Sequence, residues 1–307
     1  MESSAVKYDV SIVLPIHNEA GHLVEEIERI RRAMDASRFS YEIIAVDDGS
    51  TDGSAAELAT VDAIRVIRFA DNRGSGSARR YGSSVAQGEV VVWTDVDMTY
   101  PNDQIPELVD ALQGHDQVVG ARRSEEGTVK LFRRPAKWLI RKLASYLAGV
   151  KIPDLNSGFR AFRREVGAQF LHLLPRGFSC VTTLTMTFLT NGYSIRYVPI
   201  DYAPRRGVSK FHWWSDTRRF ILQVVRMALS YEPLRVFGPP AAILGITGIG
   251  KLIYDLFDKD FRVGTNTIVL LGFAGSLLLI GLLADLLVQL NRRRHDAMPA
   301  VAADTQT

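Results

Sequence analysis

Glu89-Val90-Val91-Val92-Trp93-Thr94-Asp95-Val96-Asp97 is the stretch that decides the fold. Residues 90–93 are β-branched and aromatic, the composition of a strand buried on both faces of a parallel sheet. Asp95 and Asp97 follow where that strand leaves the sheet, at its carboxyl end. In open α/β sheets this edge is the usual ligand crevice. Two carboxylates two residues apart can share one hard cation, and an oxygen-only site suits Mg²⁺ or Mn²⁺ with a diphosphate completing the shell. An isolated Asp-x-Asp is more often a pair of solvated loop acids. Here the preceding strand and the neighbouring clusters favour a site.

On either side the chain alternates strand and helix. Residues 10–14, 41–46, 64–69, 89–93 and 118–121 read as strands. Residues 19–34 and 76–87 read as helices, a short helical stretch begins near Glu57, and 195–202 reads as a late edge strand. This order predicts an α/β protein with a doubly wound, mostly parallel sheet. Pro15-Ile16-His17-Asn18-Glu19 follows the first strand, Asp47-Asp48-Gly49-Ser50 the second, and Asp95-Val96-Asp97 the fourth. All three clusters fall at one sheet edge and converge on one crevice. Carboxylates there can accept from ribose hydroxyls and base N–H groups. Asp48-Gly49 is also good turn chemistry, and Ser50 or Thr51 would cap a helix.

The 307-residue chain carries a net charge of +3, unevenly spread. Residues 121–142 hold eight Lys/Arg and two Glu, and residues 201–235 hold seven Lys/Arg and three acids. Two basic segments on a mildly acidic remainder point to phosphates or lipid head groups. No zinc pattern, RNP motif or basic zipper accompanies them, so nucleic acid is not an expected partner. The lone Cys180 excludes an intrachain disulfide and fits a reducing compartment. The N-terminal residues lack an apolar run of signal-peptide length, so export by a cleaved signal is not expected.

Residues 130–150 have the pattern of a basic amphipathic helix. Residues 213–233 open on Trp213-Trp214 and set arginines between apolar positions, which predicts a helix lying in a membrane interface. Residues 236–254 and 267–290 contain one charge each, Lys251 and Asp285. Both runs can cross the hydrocarbon core at about 1.5 Å per residue. The expectation is a two-helix transmembrane hairpin over 234–290, with a polar connector at 255–266. Pro239, Pro240 and four glycines lower the helix propensity of the first run. Arg235 and Arg292-Arg293-Arg294 lie on one side of the hairpin, which puts both ends and the N-terminal domain in the cytoplasm. Residues 291–307 read as a disordered cytoplasmic tail.

Pro15-x-x-Asn18-Glu19, Asp47-Asp48-Gly49-Ser50-Thr51-Asp52, Asn72-x-Gly74-x-Gly76-x-Ala78 and Asp95-x-Asp97 together resemble the GT-A fold of family 2 glycosyltransferases. Asp154-Leu155-Asn156-Ser157-Gly158-Phe159-Arg160 and Arg206-Gly207-Val208-Ser209-Lys210 are similar to the dolichyl-phosphate mannose synthase group. The resemblance covers about residues 8–212, and the catalytic domain is expected over 1–212. It implies a hexosyltransferase that inverts the anomeric centre, moving a sugar from a UDP- or GDP-linked donor to a polyprenyl or dolichyl phosphate at the cytoplasmic membrane face. It implies a catalytic set of Asp95, Asp97, Arg122 and Asp154, with the metal on Asp95 and Asp97. It implies a nucleotide-sugar site of Pro15, His17, Glu19, Asp47, Asp48, Asn72, Gly76 and Asp95.

The residues themselves agree on the acceptor. Inverting transfer to a hydroxyl needs a strong general base. Many family 2 members supply it from a Glu-Asp pair, and this chain has no Glu-Asp dipeptide. A lipid monophosphate, with a second pKa near about 6, arrives anionic and needs cationic positioning instead. Arg122, Arg133, Arg134, Lys137 and Lys210 could provide it, and the resemblance adds Arg206. Part of the basic run can equally be a lipid-facing stripe. Two departures bear on the metal shell and the sugar: Met98-Thr99 follows the Asp-x-Asp where Leu-Gln is usual, and residues 181–187 hold no acid where a Glu is common. Gly74-Ser75-Gly76-Ser77-Ala78-Arg79 lacks the third glycine of a dinucleotide fingerprint. The alternatives are a transferase acting on a saccharide or protein hydroxyl, and a non-catalytic, membrane-anchored sugar-nucleotide-binding subunit. The hairpin also leaves room for a homo-oligomer.

Overall fold

The computed structural model describes residues 8–123, 142, 144–146, 149–177, 179–203, 222, 225, 226, 229, 232–258 and 262–296. The chain divides into two compact units between Val224 and Val225.

The first unit is built on seven strands: β1 (Tyr8–Ile16), β2 (Tyr41–Asp47), β3 (Arg65–Arg68), β4 (Gly88–Trp93), β5 (Gln117–Arg122), β6 (Arg160–Arg163) and β7 (Ile195–Ile200). They form one sheet in the order β3-β2-β1-β4-β6-β5-β7. β1 pairs in parallel with β2 and β4, as do β2 with β3 and β5 with β7. β6 runs antiparallel between β4 and β5. Among the described residues the unit also holds helices α1 (Leu23–Asp35), α2 (Ser54–Leu58), α3 (Ser75–Ser84), α4 (Ile105–Asp110), α5 (Arg164–Ala168) and α6 (Cys180–Thr190).

Alternation along β1 divides the core. Val10, Ile12 and Leu14 pack in one cluster with Leu23, Ile27, Ile30 and Met34, which recur at helical spacing on α1. Val13 joins the other cluster with Ile44, Trp93, Phe162 and Phe188. The sheet is therefore covered on both faces, as its apolar runs require.

The mostly parallel sheet and the edge position of β7 match the sequence expectation. The antiparallel β6 and helix α6 do not appear in it. β6 has four residues and a charge at each end, so no strand pattern is visible. Its Arg160 is fully buried and donates to the carbonyls of Ser157 and Val181 and to Thr185 Oγ1. α6 carries five threonines, a β-prone composition. Thr183, Thr185 and Thr190 turn their hydroxyls back onto helix carbonyls, and burial of nearly the whole helix overrides propensity.

The second unit holds α7 (Pro233–Asp258) and α8 (Thr265–Asp296). Pro233–Asp258 and Thr265–Leu290 are long and apolar enough to cross a membrane, with mean hydropathies of 1.5 and 2.4 over an 18-residue stretch of each. Pro239 and Pro240 lie within α7 without ending it. Their missing N–H groups leave only the carbonyls of Arg235 and Val236, one turn near the helix start, without the usual donor. Gly248 receives Leu271 and Gly281 receives Phe237, so the helices approach closely. Asp255, fully buried, accepts from the Gly264 N–H at 2.9 Å and the Thr267 hydroxyl at 2.5 Å, tying the end of α7 to the start of α8.

Three boundaries are corrected. Of the expected connector at 255–266, residues 255–258 continue α7 and residues 265–266 begin α8. Residues 291–296, expected in a disordered tail, continue α8, because no Pro or Gly lies between Gly281 and Asp296 to stop the helix. Of the expected basic helix, residues 142 and 144–146 are described and helical. Of the expected interfacial helix, 222, 225, 226 and 229 are described and helical. Residues 149 and 150 form a turn and a bend instead of helix, residue 232 is not helical and Pro233 opens α7; the remaining residues of those two expected helices, and residues 297–307, lie outside the described residues.

Candidate active site

The register of the sheet aligns Ile16 of β1 with Asp47 of β2, and Val13 of β1 with Trp93 of β4. The segments leaving these three strands therefore share one edge. They enclose a crevice lined by Pro15, Ile16, His17, Glu19, Asp48, Asn72, Gly74, Ser75, Asp95, Val96 and Asp97. Seven of the sequence-predicted residues meet there: Pro15, His17, Glu19, Asp48, Asn72, Asp95 and Asp97.

Each is held by identifiable contacts. The loop after β1 is stitched to the segment after β2. Asn18 Oδ1 accepts from the Thr51 N–H at 2.8 Å, and the Glu19 N–H donates to Ser54 Oγ at 2.9 Å. His17 Nδ1 lies 2.9 Å from the Asp48 carbonyl, and its Nε2 lies 2.9 Å from Asn72 Nδ2. A carbonyl only accepts, so Nδ1 carries the proton and Nε2 accepts from the Asn72 amide. The Asp48 carboxylate accepts the N–H groups of Arg73 and Gly74 at 2.7 and 2.8 Å, pinning the next loop over the crevice.

Asp47 and Gly76 do not line the crevice. Asp47 is buried, accepts from the Ser50 N–H at 2.9 Å and pairs with Arg68 at 3.2 Å, so it shapes the turn. Gly76 donates its N–H to the Arg176 carbonyl at 2.8 Å, and a Cβ there would stand 2.1 Å from the Pro175 carbonyl oxygen. Its glycine is needed for close backbone approach.

The Asp-x-Asp turn is gripped from several sides. Asp95 pairs with the guanidinium of Arg79, a fully buried residue of α3. The Asp95 main-chain carbonyl accepts from Asn102 Nδ2 at 3.0 Å. Asp97 accepts the Thr99 hydroxyl at 2.5 Å. Arg79 and Arg160 flank Trp93, 5.7 and 6.0 Å from its ring. Burial lowers the Arg160 pKa to about 10. Among the described residues no third His, Cys, Asp or Glu joins Asp95 and Asp97 as a metal-binding group. Two crevice-lining carboxylates fit a hard divalent cation whose remaining ligands are phosphate oxygens and water.

Arg122 ends β5. Its Nε and Nη2 donate to the Asp154 carboxylate at 2.7 and 3.0 Å, and its N–H donates to the same carboxylate at 3.2 Å. Burial raises the Asp154 pKa, but the Arg122 hydrogen bonds and charge, with the Asn156 N–H, hold it below the ordinary carboxyl value. Arg122 and Asp154 are not crevice-lining residues. Tyr100 links the two groups: its hydroxyl accepts from the Gly158 N–H at 2.8 Å, its ring stacks on Phe159, and Arg122 and Asp95 both act on it electrostatically. Arg133, Arg134, Lys137, Arg206 and Lys210 lie outside the described residues. Ser75, Arg79, Tyr100 and Asn102 were not anticipated as parts of the site. Only Arg79 carried a signal, as the cation after the small-residue run 74–78.

Residues 11–170 match the family model "Glycosyl transferase family 2", and residues 232–290 match "GtrB C-terminal hairpin". An undecaprenyl-phosphate 4-deoxy-4-formamido-L-arabinose transferase of Enterobacter sp. (strain 638) is 32% identical over 78% of this chain and 74% of its own. The enzyme of the same name from Edwardsiella ictaluri (strain 93-146) is 33% identical over 77% and 73%. Glucosyl-3-phosphoglycerate synthase from Mycobacterium tuberculosis, solved with Mn²⁺, UDP and phosphoglyceric acid, aligns with a TM-score of 0.59 at 22% identity, over 74% of this chain and 81% of that one, and shares the GT-A fold. With an Asp-x-Asp crevice at the carboxyl edge of such a sheet and a matching C-terminal hairpin, the chain belongs to glycosyl transferase family 2 and is a glycosyltransferase.

Proposed function

We propose that this enzyme transfers a sugar from a UDP- or GDP-sugar to a polyprenyl phosphate, with inversion, at the cytoplasmic face of the membrane that its hairpin spans. One observation carries the reading. A crevice with two carboxylates at a strand exit is joined, in one chain, to a membrane-type hairpin, and relatives 32–33% identical over more than three quarters of this chain are undecaprenyl-phosphate transferases.

Asp95 and Asp97 would hold Mg²⁺ or Mn²⁺, and when bound it neutralises the departing diphosphate. The M. tuberculosis structure with Mn²⁺ and UDP supports that assignment. His17, Asn72 and Asp48 frame the nucleoside side of the crevice through their mutual hydrogen bonds. Arg122, held in position by Asp154, meets the acceptor phosphate, together with Arg133, Arg134, Lys137, Arg206 and Lys210. A phosphate oxygen attacks the anomeric carbon as the bond to the diphosphate breaks. That oxygen is already anionic, so no general base is required. The basic segments in the first unit and the arginines at both ends of the hairpin support a cytoplasmic orientation.

Membranes containing the full-length protein, supplied with undecaprenyl phosphate and labelled UDP- and GDP-sugars, test the reading. Metal-dependent label in the extracted lipid is expected. Label confined to a saccharide or protein hydroxyl would replace the acceptor class. Reporter fusions after Gln289 and within 258–264 should fall on opposite sides of the membrane, and the same side for both would refute the hairpin.

A further inference from the structure

The turn that carries Asp95 and Asp97 needs outside support. Met98 sits in it at a φ of 63°, a left-handed conformation that surrounding contacts must maintain. The support comes from Asn102, which is fully buried beneath the turn. Its Nδ2 donates to the Asp95 carbonyl at 3.0 Å and to Glu26 Oε1 at 2.6 Å, while its Oδ1 accepts the Thr94 hydroxyl. The amide orientation is dictated, because a carboxylate and a carbonyl can only accept.

Glu26 belongs to α1 and is also fully buried. Its Oε1 lies 3.6 Å from Arg29, and its Oε2 has no hydrogen-bond partner among the described residues. A carboxylate held in the interior with one oxygen left over is a costly way to anchor a helix to a sheet. It does give Asn102 a fixed acceptor at the point where the Asp95 main chain must be held. Arg79 grips the carboxylate of the same aspartate. Asp95 is thus fixed at its carbonyl from below and at its side chain from α3.

We infer that Asn102, clamped by Glu26, is a positioning residue that sets the cation affinity of the Asp95-x-Asp97 turn. This rests on the proposed assignment of the cation to those two acids. Outer partners of ligating carboxylates influence metal affinity about ten- to a hundredfold, and Asn102 acts one step further out, through the Asp95 backbone.

The test is Mn²⁺ binding to the full-length protein in detergent, read by electron paramagnetic resonance of free Mn²⁺. It is run with whichever of UDP and GDP the wild type binds, beside transfer titrated against Mn²⁺. Asn102→Ala and Glu26→Ala should each weaken Mn²⁺ binding by about tenfold, with turnover partly recovered at high Mn²⁺. The double variant should be no worse than either alone, because the two act as one unit. Glu26→Gln keeps an oxygen facing Asn102 and should stay within about threefold of wild type. If Asn102→Ala does not fold, the isosteric Thr94→Val, which removes one bond of the clamp, should weaken Mn²⁺ binding by about threefold. Wild-type Mn²⁺ affinity in Asn102→Ala, or in Thr94→Val where that variant carries the test, would overturn the inference even if turnover falls. So would a Glu26→Gln as impaired as Glu26→Ala, since charge and not the hydrogen bond would then matter. Wild-type transfer indifferent to Mn²⁺ and chelator is a separate outcome, which removes the cation assignment itself and the inference with it.

Discussion

The α/β unit keeps its large apolar side chains inside, whereas the hairpin turns many of its own outward. In the first unit, Ile12, Val92, Trp93 and Phe162 are inside, and Asp47, Asp48, Thr94 and Asp97 are buried where strands β2 and β4 end. In the second, Ile246, Phe257, Phe273 and Leu287 face outward at 72%, 88%, 63% and 67% exposure, while Asp255 and Thr267 are fully buried. Inversion of that kind belongs to a segment whose solvent is lipid. The two units also use their aspartates differently. Asp255 closes a turn with groups of its own hairpin. Asp95 and Asp97 are held by neighbours but still line an open crevice. An acid fastened beside a cavity is placed for a ligand, and one sealed between two helices is placed for the fold.

The largest expected difference between these uses is catalytic. Asp95→Ala or Asp97→Ala should lower transfer by at least about a hundredfold, since cation stabilisation of the leaving group is worth several kcal/mol. Thermal unfolding should shift little in Asp97→Ala and more in Asp95→Ala, which strands buried Arg79. Transfer that survives either change in the presence of chelator would break the distinction.

Arg122 is expected to matter next. Arg122→Ala removes a charge-assisted bond worth roughly 1.5–3 kcal/mol, about ten- to a hundredfold in transition-state binding. Acceptor kinetics should carry the loss, with donor affinity by calorimetry nearly unchanged. Arg122→Lys should recover only part, because Asp154 takes a fork that lysine lacks. An equal loss of donor affinity would move Arg122 to the nucleotide side.

Much of this was legible in the chain because it is local. The β-branched runs of β1, β2 and β4 each end in their own polar cluster, so strand and site residue are read together. Parallel pairing then puts the three clusters at one edge. Asp47 and Gly76 show where locality misleads: each belongs to a site motif, yet one shapes a turn and the other admits the Arg176 backbone. Glu26 and Asn102 are 76 residues apart, and nothing in the sequence announces that they pair. β6 was hidden by its terminal arginines, whose donors are met by tertiary contacts, Arg160 with the Val181 carbonyl and Thr185 hydroxyl and Arg163 with the His115 carbonyl. The hairpin needed no such contacts, because apolar length alone marks it.

On the structural side, Asp255→Ala should cost roughly 1–3 kcal/mol, the penalty for leaving the Gly264 N–H and Thr267 hydroxyl without their acceptor. Loosening of the connector should appear as faster cleavage by protease added to the intact protein in detergent, with sugar transfer at saturating substrate retained. Asp255→Asn should recover most of the protection, because its carbonyl oxygen still accepts. Unchanged cleavage in Asp255→Ala would mean that helix packing around Gly248 and Gly281 closes the hairpin unaided.

The smallest effect concerns pH and the Arg122–Asp154 pair. The folded pKa of Asp154 lies below its ordinary value of 3.8, because burial is outweighed by the hydrogen bonds and charge of Arg122 and the N–H of Asn156. A depressed folded pKa means that the unfolded chain binds the proton more readily in acid. The pair therefore contributes its full stability above 3.8, and that contribution is lost as pH falls through the lower folded value. Asp154→Asn cannot titrate at this position. Wild type should be the more stable of the two by a constant margin from neutral pH down to about the ordinary carboxyl value, and the margin should shrink below it. Thermal unfolding of both proteins in detergent between neutral and strongly acid pH measures this. A margin that widens in acid would reverse the sign and show that burial, not Arg122, governs Asp154. The shared carboxylate would then be a poor anchor for a phosphate-facing arginine, and the acceptor assignment of Arg122 would lose its structural basis.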